Sequence, residues 1–180
     1  MENRRDSSNR IIGSPMTIVF RILRLIALSL WVGGLVFFIS VARVAFTTLN
    51  AESAGLVVRG SLLSLHHLGM ACGLVYLVFT LLLVATQRDT HPVRGVELLL
   101  VAVMLVITAY SQYSIIPQME AYRISVGGDI TTAPANAPAR VNFEHLHRVS
   151  ERLESAILLQ GLVLLGMACF QRRNDHNRFA

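Results

Sequence analysis

The chain has 180 residues, of which 53% are hydrophobic and only 15% charged, against roughly 25% charged residues in an ordinary soluble domain. Its apolar residues are gathered into four runs, 25–42, 62–86, 98–116 and 156–170, that are nearly free of charge. This excludes a soluble globular enzyme and a secreted disulfide scaffold. The net charge of +5 does not mark a nucleic-acid binder either, because all 16 basic residues are arginines set mainly at the ends of those runs.

A helix needs about 20 apolar residues to cross a hydrocarbon core ~30 Å thick. The four runs therefore predict an all-α protein, a four-helix transmembrane bundle, with a membrane domain over 16–172. Residues 1–15 are polar and rich in Arg, Asn and Ser, the composition of a disordered cytoplasmic tail. The first span, 22–43, opens at Arg21 and Arg24, whose side chains are expected to snorkel to the headgroups. It carries Trp31, Gly33 and Gly34 and ends at Arg43. It is too long for a signal peptide and lacks an Ala-x-Ala exit. Residues 47–60 read as a short outer connection with a helical run-in to the second span, 62–86. There Gly69 and Gly73 have the small-xxx-small spacing that lets another helix approach closely.

The link 87–96, with Asp89, His91 and Pro92, predicts a tight cytoplasmic turn. The third span, 97–116, closes at Pro117. An outer loop over 118–141 follows, with Gly127, Gly128, Pro134 and Pro138. Asn142 is placed to cap the last helix by accepting from a free backbone N–H. That helix extends outward from 143, spans the membrane over 151–171 and leaves a second tail, 173–180. Cys72 and Cys169 fall in apolar helices at different depths and read as two small buried residues, too far apart to bond.

Arginine at membrane borders reports orientation. With both termini on one face, that face holds ten arginines (Arg4, Arg5, Arg10, Arg21, Arg24, Arg88, Arg94, Arg172, Arg173 and Arg178). The other holds six (Arg43, Arg59, Arg123, Arg140, Arg148 and Arg152), offset by Glu52, Glu120, Asp129, Glu144, Glu151 and Glu154. The expected arrangement is a multi-pass protein of the cell inner (plasma) membrane with both termini cytoplasmic.

Counting one bilayer crossing outward from each cytoplasmic end brings Arg43, His67, Gln112, Tyr113, His147 and Glu151 to a similar depth. This predicts a polar site at the outer, periplasmic end, since ionisable groups at such depth are costly unless they face the bundle interior. Glu144, His147, Glu151, Glu154 and Leu158 form one stripe of the last helix. His67 and His147 each start a helix on the same side. If opposed, they would suit the axial pair of a haem or two ligands of a metal ion such as copper or zinc. Met70, one turn from His67, adds a thioether donor, and Glu144 and Glu151 add carboxylates. Glu144-x-x-His147 also has the spacing used in di-iron bundles, but the second such motif is missing. Arg43 is placed to pair with Glu151 or Glu154, or with an anionic group of a ligand; Gln112, Tyr113, Asn142 and Ser150 are supporting candidates. His66, His91, His145 and His176 are expected to be exposed or interfacial.

Other readings of the same residues stand beside this one. The stripe can be a solvated face pairing with Arg140, Arg148 and Arg152. His67 and His147 can merely lock the bundle of a structural or assembly subunit, whose partner is another membrane protein or a second copy. A quinone near Tyr113 with a proton relay is a third. No nucleophile with its base, phosphate-cradling glycine loop or catalytic carboxylate dyad is present, so no enzyme class is supported.

Several segments together carry a resemblance. They are Leu30-Trp-Val-Gly-Gly-Leu-Val-Phe-Phe38 followed by Arg43, Phe46 and Ala54-Gly55; His67; Pro117; and Asn142-Phe143-x-x-Leu146-His147-x-x-Ser150. The pattern is similar to the transmembrane protein 205-like family, small four-helix membrane proteins classed as domain of unknown function 4149, over roughly 27–170. The resemblance implies a four-span bundle with two recurring His positions, here His67 and His147, accompanied by Asn142 and Ser150. It implies no activity. The Trp31-Val-Gly33-Gly34 start also resembles copper-resistance proteins of the inner membrane, which implies by analogy a transport- or resistance-related role.

Overall fold

Long apolar stretches rich in good helix formers such as Leu and Ala form long helices, and four rods result. The structure is a computed structural model that describes residues 15–87 and 92–177. Most of the expected amino-terminal tail, the centre of the link with Asp89 and His91, and the last residues of the chain lie outside the described residues, as does the His176 side chain. Helix α1 covers Pro15–Thr48 and α2 covers Ala51–Gln87. Helix α3, Pro92–Tyr110, runs through a single π turn, Ser111–Ile115, into α4, Ile116–Ser125. A short 3-10 turn, Ile130–Thr132, precedes α5, Pro138–Asn177. The described residues are all-helical, and four helices are long and apolar enough to span a membrane. At 1.5 Å per residue each rod is roughly 50 Å long, well beyond the hydrocarbon core.

The ends of the rods follow from local chemistry. Only Leu49 and Asn50 separate α1 from α2, and the Asn50 side chain caps α2 by accepting from the Ser53 N–H at 2.8 Å. Helix α4 stops where Gly127 and Gly128 take φ of 88° and 103°, a conformation glycine adopts without steric cost. The Gly128 N–H there returns to the Arg123 carbonyl at 3.0 Å. Asp129 caps the following turn through the Thr131 N–H at 2.9 Å. A bond from the Thr131 hydroxyl and, to a lesser degree, the one from that N–H hold its carboxyl below the usual aspartate range.

Two expected boundaries are corrected. Pro117 does not end the third helical rod. The π turn just before it, in which the Ile116 N–H bonds the Ser111 carbonyl, widens the helix where proline can give no N–H, and the rod continues to Ser125. The expected loop 118–141 is therefore half helix. Asn142 is not a cap: α5 begins four residues earlier at Pro138, and Asn142 is exposed within its second turn.

The core is a column of large side chains, including Leu28, Trp31, Tyr76, Met104, Ile157 and Leu164. Trp31 is 2% exposed and fills the notch cut by Gly69 and Gly73; a Cβ at either position would overlap its indole. The small-xxx-small spacing thus admits a side chain from α1. Cys72 is buried in this column, but Cys169 is exposed, not buried as expected, and both are free. Large apolar residues cover the outer surface as well, among them Phe37 at 69%, Val106 at 69% and Leu159 at 65% exposed. A bilayer is the solvent that such a surface requires.

Candidate functional site

Two buried polar layers lie along the rods, one on each side of the Trp31 column, and each fixes the antiparallel order of the helices. Toward the chain termini, Arg24 of α1 pairs with Glu97 of α3 at 2.8 Å and lies 3.4 Å from the Thr80 hydroxyl of α2. Its guanidinium also sits 5.0 Å from the centre of the Tyr76 ring. Arg24 is 4% and Glu97 0% exposed. The expected snorkelling of Arg24 is corrected: its side chain turns inward because a carboxylate waits there. An unpaired charge in this setting would cost several kcal/mol.

The second layer lies toward the α1–α2 and α4–α5 connections. His66 of α2, 1% exposed, joins Gln112 of the π turn and Glu154 of α5. Its Nδ1 lies 3.0 Å from the Gln112 amide oxygen, which only accepts, so Nδ1 carries a hydrogen and donates. Its Nε2 lies 2.7 Å from Glu154 Oε1. Two lone pairs cannot face each other at that distance, so one proton lies between them. The pair is neutral as a whole, whether imidazolium with carboxylate or imidazole with carboxylic acid. The second Glu154 oxygen, Oε2, is buried without a hydrogen-bond partner.

Beside this layer all four rods line a half-open cavity of about 590 Å³, within the ~300–1,000 Å³ range of small-molecule sites. Its walls are mostly apolar: Leu35, Phe38 and Ile39 from α1, Leu62 from α2, Ile116 and Met119 from α4, and Leu158 from α5. Glu154 stands in its deeper half, and Arg43, Arg59, Arg123, His147 and Glu151 stand nearer the connections. Arg123 is held by Glu120 at 2.7 and 2.9 Å and by the Gly128 carbonyl at 2.6 Å. Arg59 lies 3.4 Å from the same carboxylate.

The expected site residues divide accordingly. Gln112 and Glu154 meet through His66, and Arg43, His147, Ser150, Glu151 and Glu154 line the cavity. His67 is on the outer surface, its Nδ1 bonded to the Leu63 carbonyl of its own helix at 2.8 Å. His147 is exposed, with Nε2 3.4 Å from Glu151. No hydrogen bond or ion pair joins His67 to His147 among the described residues. Met70 is half-buried away from the cavity, and Tyr113 is 68% exposed. Glu144 pairs outside with Arg140 at 3.0 Å. Among the described residues no group of three or more His, Cys, Asp or Glu side chains could hold a metal ion. The arrangement therefore does not support a metal or haem centre.

His66, expected to be exposed or interfacial, is the residue that reading the sequence by depth alone missed. A signal was available. His66, Gly69, Gly73, Tyr76 and Thr80 follow at steps of three and four, a stripe of polar and small residues on one helix face. His67 is turned about 100° away from it, toward the lipid-facing residues.

The fold and cavity define an integral membrane protein, a four-helix bundle with an amphipathic cavity and the buried His66–Glu154 contact beside it. Residues 26–125 match the domain of unknown function DUF4149, and the chain belongs to that family. The match covers α1, α2 and the α3–α4 rod but stops short of α5, and it does not carry the transmembrane 205-like naming. No curated protein and no solved structure matches the chain.

Proposed function

We propose that this protein binds a small amphipathic molecule in the cavity between its four rods, as a membrane-embedded binding or transport component. The cavity carries the reading: apolar walls for a hydrophobic body, charged groups toward the connections, and Glu154 and Ser155 as polar residues further in. The arginine asymmetry, ten against six, supports an inner-membrane protein with both termini in the cytoplasm and the cavity toward the outer face. Glu154, held from behind by His66 and, through it, Gln112, is a polar residue of the cavity wall, with Arg43, His147, Ser150 and Glu151 around its mouth. A fluorescent dansyl-labelled fatty acid, titrated against the protein in nanodiscs, tests this. Gly55 lines the cavity, and a Cβ there meets open space, so Gly55→Phe places a ring in the chamber at little steric cost to the fold. Saturable binding that falls at least about tenfold in Gly55→Phe, with unchanged helicity, is expected. Equal binding by both proteins would remove the cavity as the site.

A further inference from the structure

Positive charge on the cavity is not fully matched. Three arginines line it, Arg43 from α1, Arg59 from α2 and Arg123 from α4, against Glu120, Glu151 and Glu154. Glu154 is already matched by His66, and both oxygens of Glu120 accept from Arg123, at 2.7 and 2.9 Å. Arg59 Nε stands 3.4 Å from that same carboxylate, beyond the ~3.2 Å reach of a good N–H···O bond. Glu151 is 64% exposed beside His147, where water screens it. The exposed Arg43 side chain has no hydrogen bond or ion pair among the described residues.

Arg43 and Arg59 also lie at one level. Only Leu49 and Asn50 separate α1 from α2, and Arg43 lies six residues before Leu49 while Arg59 lies nine after Asn50. At 1.5 Å per residue their depths agree within roughly 5 Å. The walls further in are apolar, with Leu35, Phe38 and Leu62 among them. Phe46 and Leu56 line the cavity yet are exposed, so the apolar wall continues to the surface that a bilayer covers.

A guanidinium fork matches a carboxylate or phosphate through paired N–H···O bonds. A cationic head would meet Arg43 and Arg59 as like charges, and a neutral head would leave them unmatched. Resting on the cavity reading above, we infer that the occupant is an anionic lipid supplied by the bilayer. Its acidic head lies at Arg43 and Arg59 and its hydrocarbon runs inward along Leu35, Phe38 and Leu62.

The dansyl-labelled fatty acid and its neutral methyl ester test this, each titrated in phosphatidylcholine nanodiscs at about pH 9 and corrected for partitioning into empty nanodiscs. The acid should bind roughly tenfold more tightly than the ester. Arg43→Gln and Arg59→Gln should each lower that preference to about threefold, and the double variant to within about twofold. Arg152→Gln, exposed on α5 and outside the cavity lining, removes the same charge and should keep the full preference. Inorganic phosphate at millimolar concentration should not displace the acid. Saturable binding of both probes with equal affinity to the wild-type protein would overturn the anionic assignment and leave the cavity reading intact. Failure of both to bind saturably would overturn the cavity reading itself. A preference that survives in the double variant, or that falls as far in Arg152→Gln, would overturn the assignment to Arg43 and Arg59. Displacement by phosphate would mark a site for water-borne anions and overturn supply from the bilayer.

Discussion

Adjacent histidines on one helix differ here by a rotation, and the rotation decides everything about them. His66, itself buried, satisfies partners on two other rods, while His67 bonds only to its own helix. Replacing His66 by Ala strands Glu154 and Gln112 in the interior and should cost about 3 kcal/mol of stability. His67→Ala removes an exposed local bond and should fall within roughly 0.5 kcal/mol of wild type. Unfolding in mixed micelles measures both. A loss in His67→Ala equal to that in His66→Ala would mean that the helix is rotated from the position described.

The Arg24–Glu97 pair is the same problem with full charges. In a low-dielectric interior the pair's attraction offsets two desolvation costs, so its net worth is small even though breaking it is severe. Arg24→Met and Glu97→Leu should each destabilise by about 3–5 kcal/mol, and the double replacement should return to within about 1–2 kcal/mol of wild type. Additive losses in the double variant would show that each residue acts through neighbours such as Tyr76 or Thr80 rather than through the other.

Among the helices themselves, what was legible in the sequence was periodic. Runs of apolar residues long enough to cross a bilayer predicted four spans, and four helices of that kind are present among the described residues. What was illegible were facing and termination. Glu97 sits one position outside the apolar run, where hydropathy reads it as a border residue, yet it is fully buried because Arg24 faces it. Pro117 carries a strong stop signal, but the π turn before it absorbs the missing hydrogen bond, and nothing in the local composition announces that turn. The polar stripe of α5 was read as one unit, whereas Glu144 pairs outside with Arg140 and Glu154 turns in to His66. A stripe along such a helix is shared among different neighbours at different depths.

The α1–α2 contact makes the sharpest prediction at this scale. A Cβ on Gly69 would overlap the Trp31 indole, whereas one on Gly166 meets nothing within 4 Å. Gly69→Ala should cost about 1–3 kcal/mol by overpacking, while Gly166→Ala should be neutral or stabilising by up to about 1 kcal/mol from helix propensity. Trp31→Phe, by shrinking the ring, should recover part of the Gly69→Ala loss. If Gly69→Ala is as stable as Gly166→Ala, α1 and α2 do not interlock in this way.

For the molecule as a whole, the arrangement of charge carries the remaining argument. Both cavity and His66 layer lie toward the α1–α2 and α4–α5 connections, and the Arg24–Glu97 layer lies toward the termini. The six arginines on the connection side are accompanied by acids, several of them bonded directly, as Arg123 is to Glu120 and Arg140 to Glu144. Those on the terminal side outnumber the acids there, and uncompensated arginine is retained on the cytoplasmic face. In the proposed orientation Asn136, exposed in the α4–α5 connection, lies outside. A cysteine placed there, in a background with Cys72 and Cys169 replaced by Ala, should react with a membrane-impermeant maleimide in intact spheroplasts of cells expressing the protein. Reaction only after lysis would reverse the orientation and turn the cavity mouth to the cytoplasm.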